Sequence, residues 1–127
     1  MAQFPCLPLW TDAWVADTAH LSIAEEGAYF RLMHTMWRTP GCRVPNDNGW
    51  LMRHLRLTKD EVRDILQPVI AEFCQVEDNF IVQKRLKKEF VHSFEKRGMQ
   101  RELAKRRWRK QKAQSDGNTN PALPPKP

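Results

Sequence analysis

Two short signatures constrain this chain more than any other feature. Ser22 with Glu25, and Thr58 with Glu61, each set a hydroxyl three residues ahead of a carboxylate. The hydroxyl can accept from the backbone N–H three residues on while the carboxylate reaches back to the first, which starts a helix at a defined residue. After Ser22 an apolar stripe runs through Ile23, Gly27, Phe30, Met33 or His34 and Trp37, widened by Tyr29, Leu32 and Met36, until Pro40-Gly41 ends it. After Thr58 the stripe is Val62, Ile65, Leu66, Val69, Ile70 and Phe73, with Pro68 expected to kink or weaken one turn. A chain committed to two such helices must be built largely by packing helices together.

The segments between follow from local chemistry. Phe4 to Trp10 is apolar but broken by Pro5 and Pro8, so an extended arm across a core edge is expected. Arg43-Val44-Pro45 suits a short strand, and Asn46 or Asp47 can cap a brief helix carrying Trp50, Leu51 and Leu55 before a turn at Leu57. From Cys74 the period changes: Cys74 and Val76, the polar Glu77-Asp78-Asn79, then Phe80 and Val82 predict a β-hairpin. Leu86, Phe90 and Phe94 open a last helix whose apolar stripe thins near Gly98, beyond which it is expected to project from the body. Residues 115–127 are polar and proline-rich, and are expected to be disordered.

The fold class predicted is mainly α with a small β-hairpin (α+β). The order helix, strand, helix, turn, helix, hairpin, helix is that of a winged helix-turn-helix. The expected division is a winged-helix-like domain over 1–94, a basic helical arm over 95–114 and a tail over 115–127. At 127 residues there is room for one such domain.

Charge is divided unevenly. Residues 1–83 hold seven Lys and Arg against eleven Asp and Glu, residues 84–112 hold thirteen against three, and residues 113–127 hold one of each. A near-neutral to acidic body joined to a dense basic segment points to a polyanion, and to nucleic acid ahead of a membrane surface. Met1 to Trp10 shows neither a basic start nor an apolar run of signal-peptide length, so the expected compartment is the cytoplasm. Cys6, Cys42 and Cys74 lack the paired spacing of a zinc site or redox pair, and are expected to be reduced, mostly buried thiols.

Little here suggests catalysis. Asp12, Asp17, Thr18 and His20 form the densest polar cluster, and two carboxylates with a histidine are the donor types for a metal that cleaves phosphodiesters. No third acidic ligand stands at a fitting spacing. The structural reading of the same residues is that Asp17 and Thr18 fix a turn by bonding the backbone, while His20 and the tryptophans seat the N-terminal segment on the first helix. Asp12, Trp14, Asp17, Thr18, His20, Gly27 and Trp37 are therefore assigned structural roles. His34 and Cys42 are read as packing residues. Serine nucleophiles, glycine-rich phosphate loops and Cys-His arrangements are missing from the sequence, so no enzyme, no metal and no cofactor is expected.

Trp10, Asp12, Trp14, the run Ala16-Asp17-Thr18-Ala19-His20-Leu21-Ser22, then Glu25-Glu26-Gly27-Ala28-Tyr29 and Trp37-Arg38-Thr39 resemble the phage and prophage YdaU-like family, domain of unknown function 1376. The likeness continues through Val44-Pro45-Asn46-Asp47 and the hairpin after Phe73, covering residues 8–92 and leaving out the basic arm and tail. The resemblance implies a context among phage and prophage genes, often beside replication genes, and a domain like those of replication initiators and primosome components. It implies no catalytic residues.

Nucleic-acid contact is expected along the basic segment, through Lys84, Arg85, Lys87, Lys88, Lys96, Arg97, Arg101, Lys105, Arg106, Arg107, Arg109, Lys110 and Lys112, with Trp108 able to stack on an exposed base. Cations surround this helix beyond Arg101 instead of forming one stripe, and the structural alternative is a solvated helix. At the position where a winged helix reads a groove, Lys59, Arg63 and Gln67 are the residues on offer, but Asp60, Glu61 and Asp64 stand among them and Glu77-Asp78 tips the wing. The expected function is that of a replication-associated accessory protein holding single- or double-stranded DNA without sequence preference. One alternative is a protein-interaction module that forms a homo-oligomer or grips a replicative helicase or its loader. Another is a transcriptional regulator, which would need a defined site with fixed half-site spacing.

Overall fold

The computed structural model describes residues 3–117. Its contacts part between Val91 and His92 into two compact units, a body and a C-terminal unit. The described chain is mainly helical with one small antiparallel sheet, the α+β class expected from the sequence.

The body holds a helix that the sequence patterning did not reveal. α1 spans Thr11–Thr18, where a turn had been expected at Asp17 and Thr18. It has no side-chain cap and buries only Thr18, so it lacks both marks by which a helix is read from sequence. Tertiary contacts hold it. Trp14 stacks on Tyr29 with ring centroids 5.0 Å apart and donates its indole N–H to Glu26 Oε1 at 2.8 Å.

α2 spans Ile23–Arg38 and begins at the expected capping box. Ser22 Oγ accepts from the Glu25 N–H at 3.1 Å, and Glu25 Oε1 accepts from the Ser22 N–H at 3.0 Å. These bonds, first the one from the Ser22 backbone, hold the Glu25 carboxyl below its ordinary range. The buried face is Ala28, Tyr29, Leu32, Met33, Met36 and Trp37, a ladder rotated from the expected stripe. Ile23 is 92% exposed and Phe30 also faces outward. The face is chosen by what α2 packs against: α3 (Asn48–Leu55), the helix after Thr58 and the turn Pro40–Cys42.

α3 is capped by Asp47, whose Oδ2 accepts from the Trp50 N–H at 3.1 Å, and ends at Arg56 in the left-handed region (φ 57°). The second capping box also forms, Thr58 with Glu61, and opens α4 (Lys59–Glu61). The helix then widens into a π turn over Val62–Leu66 before continuing as α5 (Gln67–Phe73). Pro68 accounts for the widening. It has no N–H to offer the Asp64 carbonyl, and its ring would clash there in an α turn, so Gln67 N–H bonds the Val62 carbonyl one residue further back. Val62, Leu66, Val69 and Ile70 are buried by this helix.

The hairpin is β2 (Gln75–Glu77) and β3 (Phe80–Val82), joined by Asp78 and Asn79 at φ 50° and 66°. Two successive residues in the left-handed region make the tight turn whose twist matches the strands. β1 (Val44–Pro45) pairs with β3, giving the order β1-β3-β2 with Val44 opposite Ile81. Ile81 is the deeply buried hairpin residue, whereas Val76 on the edge strand is half exposed and Phe80 lies at the margin beneath the Arg43 guanidinium, 3.9 Å away. Of the expected positions Cys74, Val76, Phe80 and Val82 only Val82 is buried, and the sheet residues that enter the core are the paired Val44 and Ile81.

Phe4 is buried in the body, its ring 5.2 Å from Phe90 and 5.9 Å from Trp37, and its carbonyl accepts the Trp37 indole N–H at 3.0 Å. Phe4 and Leu7 dock the N-terminal segment, leaving Cys6 exposed, which departs from the mostly buried thiols expected. Cys42 is fully buried and Cys74 partly so. Burial pushes their thiols up to about 11 and about 12.

α6 spans Lys84–Gly117. Gln83 caps it, its Oε1 accepting the Leu86 N–H at 2.6 Å while its Nε2 donates to the Tyr29 hydroxyl at 3.1 Å. Leu86 and Phe90 are buried in the body. The helix includes residues 115–117, assigned above to a disordered tail, because no Gly or Pro stands between Gly98 and Gly117 and Ala113 and Gln114 are good helix formers. The rest of that tail lies outside the described residues. No helix among the described residues is long and apolar enough to cross a membrane.

Candidate nucleic-acid interface

The basic residues at the start of α6 are engaged with the body. Arg85 donates to Asp17 Oδ2 at 2.8 Å, and Lys87 donates to the Gly41 carbonyl at 2.6 Å, its ammonium 5.9 Å from the Phe90 ring. Both Arg85 and Asp17 are about half exposed, so the pair contributes at most about 1 kcal/mol, but it directs both side chains to each other. Lys84 and Lys88 are exposed on the same turns.

The C-terminal unit presents the remaining candidates. Lys96, Arg97, Arg101, Lys105, Arg106, Arg107, Arg109, Lys110 and Lys112 are all exposed, as is Trp108 at 61%. Arg109 lies 3.5 Å from Glu102. The Lys112 ammonium sits over the Trp108 ring, 5.2 Å from its centroid.

The groove-reading position is occupied differently. Lys59 is exposed at the start of α4. Arg63 lies between two carboxylates, 2.8 Å from Asp64 and 3.3 Å from Asp60, and its hydrogen bonds hold the Asp64 carboxyl low. Gln67 donates to Asn48 Oδ1 at 3.1 Å. Glu61 is held by Thr58, whose backbone N–H lowers its pKa. The first turns of this helix therefore offer the solvent two cations against three carboxylates, with Arg63 already held by Asp60 and Asp64.

The residues assigned structural roles separate into distinct contacts. Thr18 donates to the Trp14 carbonyl at 2.7 Å, a bond within α1 and not a turn. His20 pairs with Glu72 of α5 and lies near the Phe73 ring, so it ties the loop before α2 to α5 instead of to the first helix. Asp12 is exposed in the first turn of α1. Nothing lies within 4 Å of a Cβ built on Gly27, so packing gives no reason for glycine there. With Asp17 turned to Arg85 and His20 to Glu72, the polar cluster read from the sequence is dispersed. Among the described residues no group of three His, Cys, Asp or Glu could hold a metal ion. His34 is exposed and stacks on Phe30.

Residues 5–90, most of the chain, match the family described as "Protein of unknown function (DUF1376)". The chain belongs to that family. The DUF1376 match covers the body and stops before the exposed basic run that begins at Lys96. The chain is also similar to the uncharacterized protein YdaU of Escherichia coli (strain K12), 38% identical over 73 residues, 58% of this chain. It spans 24% of that relative's length. No solved structure matches it.

Residues that the sequence reading missed lie mainly at the start of α6. Gln83 and the Gly41 carbonyl orient its first turn together with Asp17, which the sequence singled out for a turn and not for Arg85, and of the two missed groups only Gln83 carried a local signal, as a capping side chain just ahead of a helical stripe.

Proposed function

We propose that this DUF1376 protein is a nucleic-acid-binding accessory protein, with a winged-helix body that serves for docking and a basic helix that holds DNA without sequence preference. The observation that carries the reading is the run of exposed cations on α6 from Lys96 to Lys112, nine Lys and Arg against the single carboxylate of Glu102. Such a helix attracts a polyanion by releasing its counterions. The winged-helix assignment is supported by the element order α2, β1, α3, the α4–α5 helix, β2, β3, and by the sheet order β1-β3-β2. The internally paired α4–α5 helix and the Glu77-Asp78 tip argue against groove reading through the body. The likeness to phage and prophage proteins found beside replication genes favours a role in replication initiation or primosome recruitment, in the bacterial cytoplasm.

The test is fluorescence anisotropy with single-stranded and duplex DNA at two salt concentrations, using the full chain and a version ending at Phe94. Binding that weakens steeply with salt and vanishes on truncation supports the reading. Equal binding by both versions would move the site to the body.

A second reading has its own observation. Val15, Ile23 and Phe30 are exposed apolar side chains on α1 and α2, 65%, 92% and 42% accessible. A protein-interaction module, forming a homo-oligomer or gripping a helicase or its loader, would use such residues. Stable oligomers in sedimentation, with no salt-sensitive DNA affinity, would favour it.

A further inference from the structure

Cations alone do not distinguish the faces of the basic helix, because they occur all round it. Carboxylates and the exposed aromatic do. At about 100° per residue, Arg97, Arg101, Lys105, Trp108 and Lys112 fall within about 80° of one another, a stripe about 22 Å long from end to end. No Asp or Glu lies within that stripe. Glu95 and Glu102, seven residues apart, lie together on a different face, and Glu102 is turned toward Arg109. Trp108 sits inside the stripe, 61% exposed, with the Lys112 ammonium against its ring.

We infer that this stripe takes single-stranded DNA, the phosphates tracking Arg97, Arg101, Lys105 and Lys112 while an unstacked base lies on Trp108. The inference rests on the proposed DNA-binding role and narrows it to a substrate class. A duplex supplies phosphates equally well but keeps its bases stacked inside, so a lone exposed indole adds nothing to duplex binding. A single strand offers a free π-face, and base–aromatic stacking strengthens binding whatever the base. An indole that is largely solvated on a polar helix has no packing role among the described contacts to explain it. The Lys112 ammonium over its ring also sets a positive charge beside the stacking surface.

The experiment uses the full chain and measures anisotropy with a deoxythymidine oligomer of about 12 nucleotides and a duplex of equal length. Two triple variants carry the same change in charge. One is on the stripe, Arg101→Gln with Lys105→Gln and Lys112→Gln. The other is off it, Lys96→Gln with Arg106→Gln and Lys110→Gln. Glutamine keeps helix propensity, which circular dichroism verifies. The on-stripe triple is expected to lose single-strand affinity at least about ten times more than the off-stripe triple, which corresponds to one extra stacking or phosphate contact set. Trp108→Ala is expected to weaken the single strand about ten-fold or more and leave the duplex unchanged, and Trp108→Phe to retain most of the single-strand affinity. With four phosphates engaged, single-strand affinity should fall about fifty-fold between about 50 and about 200 mM salt. Equal losses from both triples, or a Trp108→Ala effect shared by single strand and duplex, would overturn the stripe while leaving the broader DNA-binding role standing. Failure of the unmodified chain to bind either probe would overturn both.

Discussion

Phe4→Ala tests whether the N-terminal segment is part of the body's core or an ornament on it. The ring lies against Trp37 and Phe90, edge-on to Phe90 at 5.2 Å, and is 7% exposed. Burying a phenylalanine contributes about 1.5–3 kcal/mol, and an edge-to-face partner about 0.5–1.5 kcal/mol more. Truncation in a rigid core would cost about 3–5 kcal/mol. Phe4 sits on a chain segment that can detach, which caps the loss at the segment's own docking energy and lets Trp37 reach water if its N–H loses the Phe4 carbonyl. The expected cost is therefore about 3 kcal/mol, the low end of the core range. Urea unfolding followed by tryptophan fluorescence and far-ultraviolet circular dichroism measures it, with an unchanged slope showing that the denatured state is not responsible. Phe90→Ala should cost at least as much, and the double variant should cost less than the sum by about 1 kcal/mol, the signature of rings in contact. A Phe4→Ala loss below about 1 kcal/mol, or strictly additive costs, would refute the packing argument, since surface substitutions fall in that range.

Thr58→Ala removes the hydroxyl that caps α4 and should destabilise the body by about 1 kcal/mol in denaturant titrations. Because the carboxyls of Glu25 and Glu61 are both held below their ordinary range, each contributes stability above its unfolded value that is lost as pH falls through its folded value. Glu25→Gln with Glu61→Gln should therefore flatten the acid limb of the stability profile, read as denaturation midpoints from neutral pH downward. A thiol reagent at mildly alkaline pH should titrate one cysteine, Cys6, in the native chain and all three after unfolding, because burial keeps the Cys42 and Cys74 thiols protonated and shielded. Asn79→Gly should stabilise the hairpin turn by up to about 1 kcal/mol, since φ 66° strains any residue with a Cβ; a loss in thermal midpoint would count against the turn geometry.

What the sequence revealed and what it hid follow one physical rule. Capping boxes, Asp47, and the change of period at Cys74 are local, and each element appears where its local signal stood. α1 was invisible because its support is remote: Trp14 on Tyr29, Trp14 to Glu26, Arg85 to Asp17. The face of α2 is displaced because Ile23 and Phe30 look apolar to any periodicity count, and only the packing of α3 and α5 decides that Ala28 turns inward beside the expected Tyr29, Leu32 and Met36. Pro68, expected to kink the helix or weaken one turn, follows a π turn, a difference that depends on which carbonyl the neighbouring N–H can reach. In the basic run, counting positive charges hid the stripe, while the seven-residue spacing of Glu95 and Glu102 was present in the sequence and marks a second face. The capture of Arg85 and Lys87 by Asp17 and Gly41 had no sequence signal, since those partners lie 68 and 46 residues away.

On the proposed reading, the body and the basic helix divide the work by charge. A winged helix that reads a groove needs unpaired donors on its recognition helix, because each carboxylate there must approach phosphates and lose solvation. Here Asp60 and Asp64 hold Arg63 between them, Glu61 completes a cap, and Gln67 is bonded to Asn48, so groove contact would first break four local interactions. The run from Lys96 to Lys112 is exposed throughout and carries one carboxylate, Glu102, against nine cations. Selection would then act on the body for surfaces that meet other proteins, and its most exposed large apolar side chain, Ile23, stands at the first turn of α2 beside a capping carboxylate, a position where burial brings nothing to this chain by itself. Affinity for nucleic acid and choice of partner can therefore be altered by separate substitutions.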